Sequence, residues 1–593
     1  MNQEMGPAIT NQSTWHRGIE SKWAFSIRTE SGTPHKTLEI LKNGSLLHEI
    51  TRDATTGFDH RSLTLTPDGL TVISGGGRGI LYSYNPETRE QNHEFVGHTG
   101  DVWGVAASPD SRLLVSCSGD QTIKLWHIGS GKLLLTIFSG SDGEWVAWTP
   151  AGYYTSSLKG GNYIGWHINR GADRSALYYP GSQFSKKFYS PETVAAYIRS
   201  EGDIDLALEI VNASKPVRKK IKKTEVSDIE NILPPIVYFK LPADIDSVVS
   251  TGEVRIKAAA KSINREPVTD IWVLVNGRRV DKNRGIQLKN NRVKKDGLKA
   301  EIDITVPLTQ KENRISIVAK NRFTQSEPEV INVAWNNKKS ASQLEEIYKP
   351  NLYLLSIGIS EYQNSKFNLD VAADDAKGIV SVFKKQEGKL YNNVKARLLT
   401  DASATKDEIL DGLDWIMAES TQKDLSIIFI AGHGVKDNLD NYYFLSHDSN
   451  PDKLRRSAVK WLEFDDIVTN LPSKTILLAD TCHSGSITGK RRGVSDITDA
   501  LRDLVNSDSG VVIMTASTGN ELSNEKKEWG HGAFTKALIE GLDGQANYNN
   551  DRRVDLKELD FYVTERVKFL TNGTQHPTTE IPKTLPNFPV SYQ

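Results

Sequence analysis

A chain of 593 residues, 38% apolar and 25% charged, has room for three to five domains of roughly 150 residues each and the composition of an ordinary globular protein. A net charge of −1 excludes bulk attraction to nucleic acid or membrane. The only cysteines, Cys117 and Cys482, exclude a disulfide framework and fit a reducing compartment. No run reaches the ~20 apolar residues of a spanning helix, and Met1–Gln12 lacks the apolar stretch of a secretory signal, so a cytoplasmic location is expected.

Residues 1–185 repeat. Leu63–Tyr84, Gly97–Trp126 and Trp145–Trp166 each read as a strand, a turn, a second strand, a Gly-rich turn and a third strand. Their spacing of roughly 40 residues resembles that of WD40 propeller blades. Gly97-His98 with Asp120 and Leu125-Trp126 is the strongest blade signature. Phe25–Ile50 is a weaker unit. Three clear blades and one weak one fall short of the four to eight of a usual closed propeller. Either the first 58 residues supply an atypical blade, or the array is open and its edge strands favour a partner. The aromatic-rich Gly143–Gly171 resembles the last blade before the linker in bacterial WD-repeat proteins.

Residues 186–232 form a linker. Pro191–Ala213 has helical periodicity, and Lys215–Lys223 is a basic run. That run lacks aromatics and a nucleic-acid-binding fold around it, so no nucleic-acid partner is expected. Residues 233–337 alternate short β-rich runs with turns: Val254–Ala258, Asp270–Val275, Leu298–Val306 and Arg314–Ala319, with a hairpin signal at Asn276-Gly277. This pattern resembles an immunoglobulin-like β-sandwich.

Residues 348–593 read as α/β. Strands are expected at Leu352–Ile359, Ala396–Leu399, Leu425–Ala431, Tyr442–Leu445, Ile476–Ala479 and Val511–Ala516. Helices are expected at Asp375–Lys385, Thr405–Ala418, Trp461–Asn470, Phe534–Leu542 and Asp555–Leu570. Thr405 and Glu408 have the spacing of a capping box. The alternation predicts a mostly parallel sheet covered on both faces.

Two motifs lie where buried strands are expected to run out into loops. Ala431-Gly432-His433-Gly434 ends one, and Asp480-Thr481-Cys482-His483-Ser484-Gly485 ends another. Chemistry in open α/β sheets sits at such carboxyl ends, and a thiol beside an imidazole makes a nucleophile–base pair. His433 precedes Cys482 by 49 residues, the caspase order and spacing.

Over roughly residues 350–590 the chain thus resembles the caspase-like cysteine peptidases, most of all the metacaspase and bacterial caspase-like branch. The resemblance implies Cys482 as nucleophile and His433 as base, with the main-chain N–H groups of Gly434 and Cys482 as the oxyanion hole. It also implies that Asp480 lines the first specificity pocket and that Asp375 is its second acid. Asp374 is the alternative at that position, and a helix N-terminal role is the plain alternative for Asp375. Two carboxylates select a cation, so the expected substrate is a protein or peptide with Arg or Lys at P1. Lys490, Arg491 and Arg492 form a candidate self-cleavage site.

No metal ligand set is expected. Calcium is a candidate cofactor through Asn547–Glu558, a weak echo of a calcium loop with Arg552 at the glycine position, and the metacaspase resemblance implies calcium at a different site that the sequence does not place. The repeats are the candidate place for an activating ligand or protein. The expected function is a signal-gated cysteine endopeptidase, a stress or antiviral effector by family analogy. The alternatives are a signal-binding receptor and a catalytically silent scaffold.

Overall fold

The computed structural model describes residues 22–30, 33–169, 171–173, 175–213, 221, 223, 226–242, 246–264, 266–280, 289–308, 310–336, 349–437, 441–483, 501, 510–517 and 524–593. The chain divides into two compact units, residues 1–228 and 229–593. Among the described residues no helix is long and apolar enough to cross a membrane.

The first unit stacks antiparallel sheets. β1 (Trp23–Glu30), β2 (Thr33–Lys42) and β3 (Ser45–Thr51) form the first. β4 (Ser62–Leu65), β5 (Val72–Gly75), β6 (Leu81–Tyr84) and β7 (Gln91–Glu94) form the second. The third holds β8 (Val102–Ala107), β9 (Leu113–Ser118), β10 (Ile123–His127), β11 (Leu133–Ser139), β12 (Trp145–Trp148) and β13 (Tyr154–Ser156). Among the described residues β14 (Gly165–Ile168) pairs only with β15 (Leu177–Pro180). Leu38, Ile40, Val72 and Tyr82 join the first sheet to the second, and Ile73, Leu81, Val102, Leu114 and Trp126 join the second to the third.

The weak unit at Phe25–Ile50 is therefore a true sheet. The expected third blade is not a separate one. β12 pairs with β11, and so prolongs the preceding sheet, while β14 turns away to β15. The expected helix over Pro191–Ala213 is two, α1 (Pro191–Arg199) and α2 (Ile204–Ala213). Glu201 and Gly202 take left-handed backbone angles between them, which no helix continues through. Both helices pack on β10–β12 through Val194, Ala196, Ala207 and Leu208.

The second unit opens with a two-sheet sandwich. One sheet orders β16 (Ile236–Leu241), β18 (Glu253–Lys261), β22 (Lys299–Pro307) and β21 (Lys289–Asp296). The other orders β17 (Asp246–Val249), β24 (Glu329–Trp335), β23 (Glu312–Lys320), β19 (Asp270–Val275) and β20 (Arg278–Arg279). Ile256, Ile302 and Ile304 from one sheet share a core with Val273, Ile315, Ile317 and Val333 from the other. Asn276 and Gly277 both have positive φ and turn β19 into β20, the geometry that Asn-Gly favours. This tip rests on the α/β domain, where Gly277 meets Leu585 and Gly510.

The α/β sheet runs β26 (Val394–Thr400), β25 (Leu352–Gly358), β27 (Leu425–Lys436), β30 (Lys474–His483), β31 (Val511–Thr515) and β35 (Thr578–Glu580). The first five are parallel, and β35 is antiparallel. β28 (Tyr442–Phe444) folds back on the end of β27 and pairs with β29 (Val459–Lys460). Short pairs complete the domain: β32 (Glu525–Lys526) with β33 (His531–Gly532), and β34 (Arg553–Asp555) with β36 (Pro589–Tyr592).

Helices α3 (Ala372–Lys384), α6 (Ala533–Glu540) and α7 (Leu556–Leu570) cover one face, and α4 (Lys406–Glu419) and α5 (Trp461–Asn470) the other. Leu425, Ile427 and Phe429 enter the first core, while Ile428 and Ile430 enter the second. Burial on both faces is why the run is apolar without alternation. Thr405 caps α4 by accepting from the Glu408 N–H, but Glu408 pairs with Arg397, so only half of the expected capping box forms. A full box forms at Asp555 and Glu558, which open α7.

Candidate active site

β27 and β30 are parallel neighbours in a register that sets Ala431 opposite Asp480 and His433 opposite Cys482. Residues 49 apart in sequence thus become cross-strand partners, with strand axes about 4.8 Å apart. Both strands run further than their apolar cores imply, so His433 and Cys482 lie within strands and not in loops beyond them. The physical reason is pairing: β28 bonds to Gly434–Lys436 and carries β27 past the histidine.

His433 is held from three directions. Its main-chain N–H donates to Tyr362 Oη at 3.1 Å. Its ring lies 5.4 Å from the Tyr362 ring at 32°. Its Nε2 is 2.9 Å from the Phe367 carbonyl. A carbonyl only accepts, so Nε2 carries the hydrogen and Nδ1 keeps its lone pair. Nδ1 is buried and has no partner among the described residues. Burial pulls the ring's pKa below its ordinary value, against the raising effect of the Phe367 bond. The imidazole is therefore neutral at pH 7, with a bare nitrogen left to take a proton.

The glycines flanking His433 answer to aromatic packing. A Cβ on Gly432 (φ +155) would stand 2.9 Å from Tyr362 Oη, and one on Gly434 would overlap the Tyr442 ring. Gly434 thus has a packing reason to be glycine.

The two acids meet at Gly532. Asp480 Oδ2 accepts from Thr535 Oγ1 at 2.8 Å. Asp375 Oδ1 accepts from the Gly532 N–H at 3.1 Å and lies 3.0 Å from His531 Nδ1, in hydrogen-bond contact. A Cβ on Gly532 would lie 3.1 Å from Asp480 Oδ2 and 3.3 Å from Asp375 Oδ2. Of the two candidates on α3, Asp375 is the one beside Asp480; it is 2% exposed. The Asp374 side chain is 59% exposed and pairs with Lys377. Burial, then the Asp480 charge, then the nearby Glu525 push the Asp375 carboxyl well above the ordinary range. Asp375 also lies in the first turn of α3, so the helix-terminal description holds as well.

Lys490, Arg491 and Arg492 lie outside the described residues. The calcium-loop segment is tied up internally. Asn549 accepts from the Asp551 N–H, Asp551 accepts from the Arg553 N–H, and Asp555 and Glu558 cap α7. Among the described residues no three His, Cys, Asp or Glu side chains gather as a metal site.

Sequence reasoning missed Tyr362, Phe367, His531 and Thr535. The run His531-Gly532-Ala533-Phe534-Thr535 at a helix start was a readable signal for the last two. Nothing local marks Tyr362 or Phe367, which act across the sheet.

In the first unit, His98 bridges Asp120 (Nδ1, 2.8 Å) and Ser116 (Nε2, 2.8 Å), and Trp126 Nε1 also donates to Ser116 at 2.8 Å. In the preceding sheet His60 makes comparable bonds to Ser74 and to the Ile50 carbonyl.

The described geometry is that of an α/β domain with a thiol-bearing and an imidazole-bearing strand side by side. The caspase domain family matches residues 353–588, and the WD domain, G-beta repeat family matches residues 89–127. The chain thus carries a caspase-like peptidase domain in its C-terminal part and a WD40 repeat in its N-terminal part. It is similar to actin-interacting protein 1 of Drosophila melanogaster, 28% identical over 26% of each chain. It is also similar to WD repeat-containing protein 1 of Gallus gallus, 32% identical over 13% of each. The chain therefore spans about a quarter or less of these relatives' lengths. A solved Geobacter sulfurreducens protein is 15% identical at a TM-score of 0.29, covering 39% of this chain and 92% of that one, too weak a likeness to bear on fold or function.

Proposed function

We propose that the C-terminal domain is a caspase-like cysteine endopeptidase that cleaves after Arg or Lys, gated by its N-terminal repeats. The observation that carries the chemistry is the cross-strand register of His433 and Cys482, with His433 Nδ1 bare and Nε2–H tied to Phe367. Nδ1 takes the thiol proton of Cys482, and the thiolate attacks the scissile carbonyl carbon. The oxyanion is taken by the main-chain N–H groups of Gly434 and Cys482. His433 then gives its proton to the leaving amine, leaving a thioester. Water, losing its proton to His433, attacks the thioester and frees Cys482 and the carboxylic acid product.

The preference for a basic residue rests on Asp375 and Asp480 flanking one glycine. WD repeats serve protein–protein interaction, and here they would hold the switch. The sandwich, immunoglobulin-like by its sequence pattern, would act as spacer or interface. Self-cleavage at Lys490–Arg492 and a stress or antiviral role follow from resemblance alone. A purely interacting role suits the N-terminal repeats, whose relatives include an actin-interacting protein, better than the caspase domain.

The test is fluorophore release from Arg-, Lys- and Asp-terminated peptides by wild type and Cys482→Ala, with and without calcium. Arg or Lys cleavage lost in the variant supports the reading. Cleavage after Asp, or equal release by the variant, refutes it.

A further inference from the structure

Asp375 is a carboxylate under pressure to be an acid. Its side chain is 3% exposed, and Asp480, Glu525 and Asp374 all add negative charge around it. Among the described residues its hydrogen-bond donors are the Gly532 N–H and His531 Nδ1. No lysine or arginine among them pairs with it. A neutral Asp375 would not attract a cation, so what keeps it ionised decides what the site binds.

We propose that His531 is a positioning residue that keeps Asp375 in its carboxylate form and so sets how strongly the two-acid site holds a basic P1 side chain. This rests on the reading of Asp375 and Asp480 as that pocket. His531 sits in β33, the strand leading into α6, and faces Lys526 across the β32 pair. Its ring lies against α3 at Gly378, where a Cβ would stand 2.7 Å from Cε1 and 3.2 Å from Nε2. The same Cβ would stand 2.7 Å from Ile539 Cδ1, so a larger residue at position 378 presses on both the His531 ring and α6.

The charged groups acting on the imidazole are Asp375, 3.0 Å from Nδ1, and Asp374, both from α3, and Lys536 from α6, with Lys526 opposite in β32; Glu525 acts on Asp375. Burial lowers the pKa of His531, Lys536 lowers it further, and Asp374 opposes them. At neutral pH the ring is thus uncharged, with its one hydrogen on Nδ1 toward Asp375. A hydrogen bond given to the charged form of an acid favours that form. As the pH falls the pair takes up a proton, and whichever partner holds it, the site loses one negative charge.

The experiment measures kcat and KM of the full-length protein on Arg-terminated peptide from about pH 5 to 9. The variants are His531→Phe, His531→Asn, Gly378→Ala, Asp375→Asn and the double variant His531→Phe/Asp375→Asn, each with its Tm. His531→Phe should raise KM roughly tenfold or more at pH 7 while kcat stays within about threefold. It should also move the acid limb of kcat/KM up by about one pH unit. His531→Asn, which keeps a donor, should recover most of the KM. Gly378→Ala reaches the same result through the helix if His531→Phe folds poorly. In the Asp375→Asn background, His531→Phe should add nothing. The proposal is overturned if KM and the acid limb stay at wild-type values in His531→Phe and Gly378→Ala, or if the two single effects multiply in the double variant. Wild type that ignores Arg and Lys overturns the pocket itself. Wild type that prefers Arg, and loses this in Asp375→Asn but not in His531→Phe, overturns only the role of His531.

Discussion

Gly532→Ala isolates the proposed two-acid pocket with one methyl group. Gly532 has φ −62° and ψ 153°, a conformation open to any L-residue, so alanine brings no backbone strain. As the cap residue of α6 it makes no side-chain bond, and the change should cost about 1 kcal/mol, or roughly 2–4 °C in Tm. The methyl would stand 3.1 Å from Asp480 Oδ2 and 3.3 Å from Asp375 Oδ2. Both contacts are tighter than ordinary carbon–oxygen packing, so each carboxylate must shift by a few tenths of an ångström.

The methyl also puts apolar surface where a guanidinium or ammonium would meet the two acids. Losing one charge-assisted hydrogen bond there costs about 1.5–3 kcal/mol, roughly 10- to 150-fold in kcat/KM for Arg- and Lys-terminated peptides. The assay is steady-state hydrolysis, with the rate of thiol alkylation of Cys482 as a control that does not use the pocket. Alkylation should stay at the wild-type rate while hydrolysis falls. Hydrolysis within about threefold of wild type would refute the placement of the cation between Asp375 and Asp480.

Tyr362→Phe removes the acceptor of the buried His433 N–H, which should cost about 1–3 kcal/mol in stability and lower kcat without changing the P1 preference; differential scanning calorimetry and peptide profiling read both. Asp375→Asn should stabilise the fold at neutral pH. The Asp375 carboxyl titrates above its unfolded value, so the folded state binds the extra proton, and wild-type stability falls as pH rises from about 4 through the folded pKa. Thermal melts at pH 4 and pH 8 should therefore coincide for the two proteins at the lower pH and favour the variant at the higher; the reverse order contradicts the shift. Asp120→Ala should loosen the first unit, because Asp120 takes bonds from His98, Thr122 and the Thr99 N–H. Burial raises its carboxyl, but these bonds outweigh it and hold the group below the ordinary range. Its contribution is thus present above about pH 4 and lost as pH falls, and limited proteolysis at pH 7 should cut the variant's repeats faster than the wild type's.

Local pattern was enough to read what local physics makes. The strands of the α/β sheet, the helix Trp461–Asn470 and the Asn276-Gly277 turn follow from runs of apolar residues, period and turn chemistry. His433 and Cys482 were legible because two short motifs close two such runs. Only the tertiary structure decided how far β27 and β30 extend, since β28 returns from elsewhere in the chain to pair beyond the histidine. It alone closed the distance between Asp375 and Asp480, which lie more than a hundred residues apart and meet because α3 and α6 both start over the same strand ends. It alone merged the expected third blade into the preceding sheet, because strands choose partners by edges left open and not by repeat period. A side chain's neighbours within a helix or strand are written in its spacing. The hydrogen on His433 Nε2 depends on Phe367, and the raised Asp375 carboxyl on burial, Asp480 and Glu525, groups that only the folded chain brings into contact.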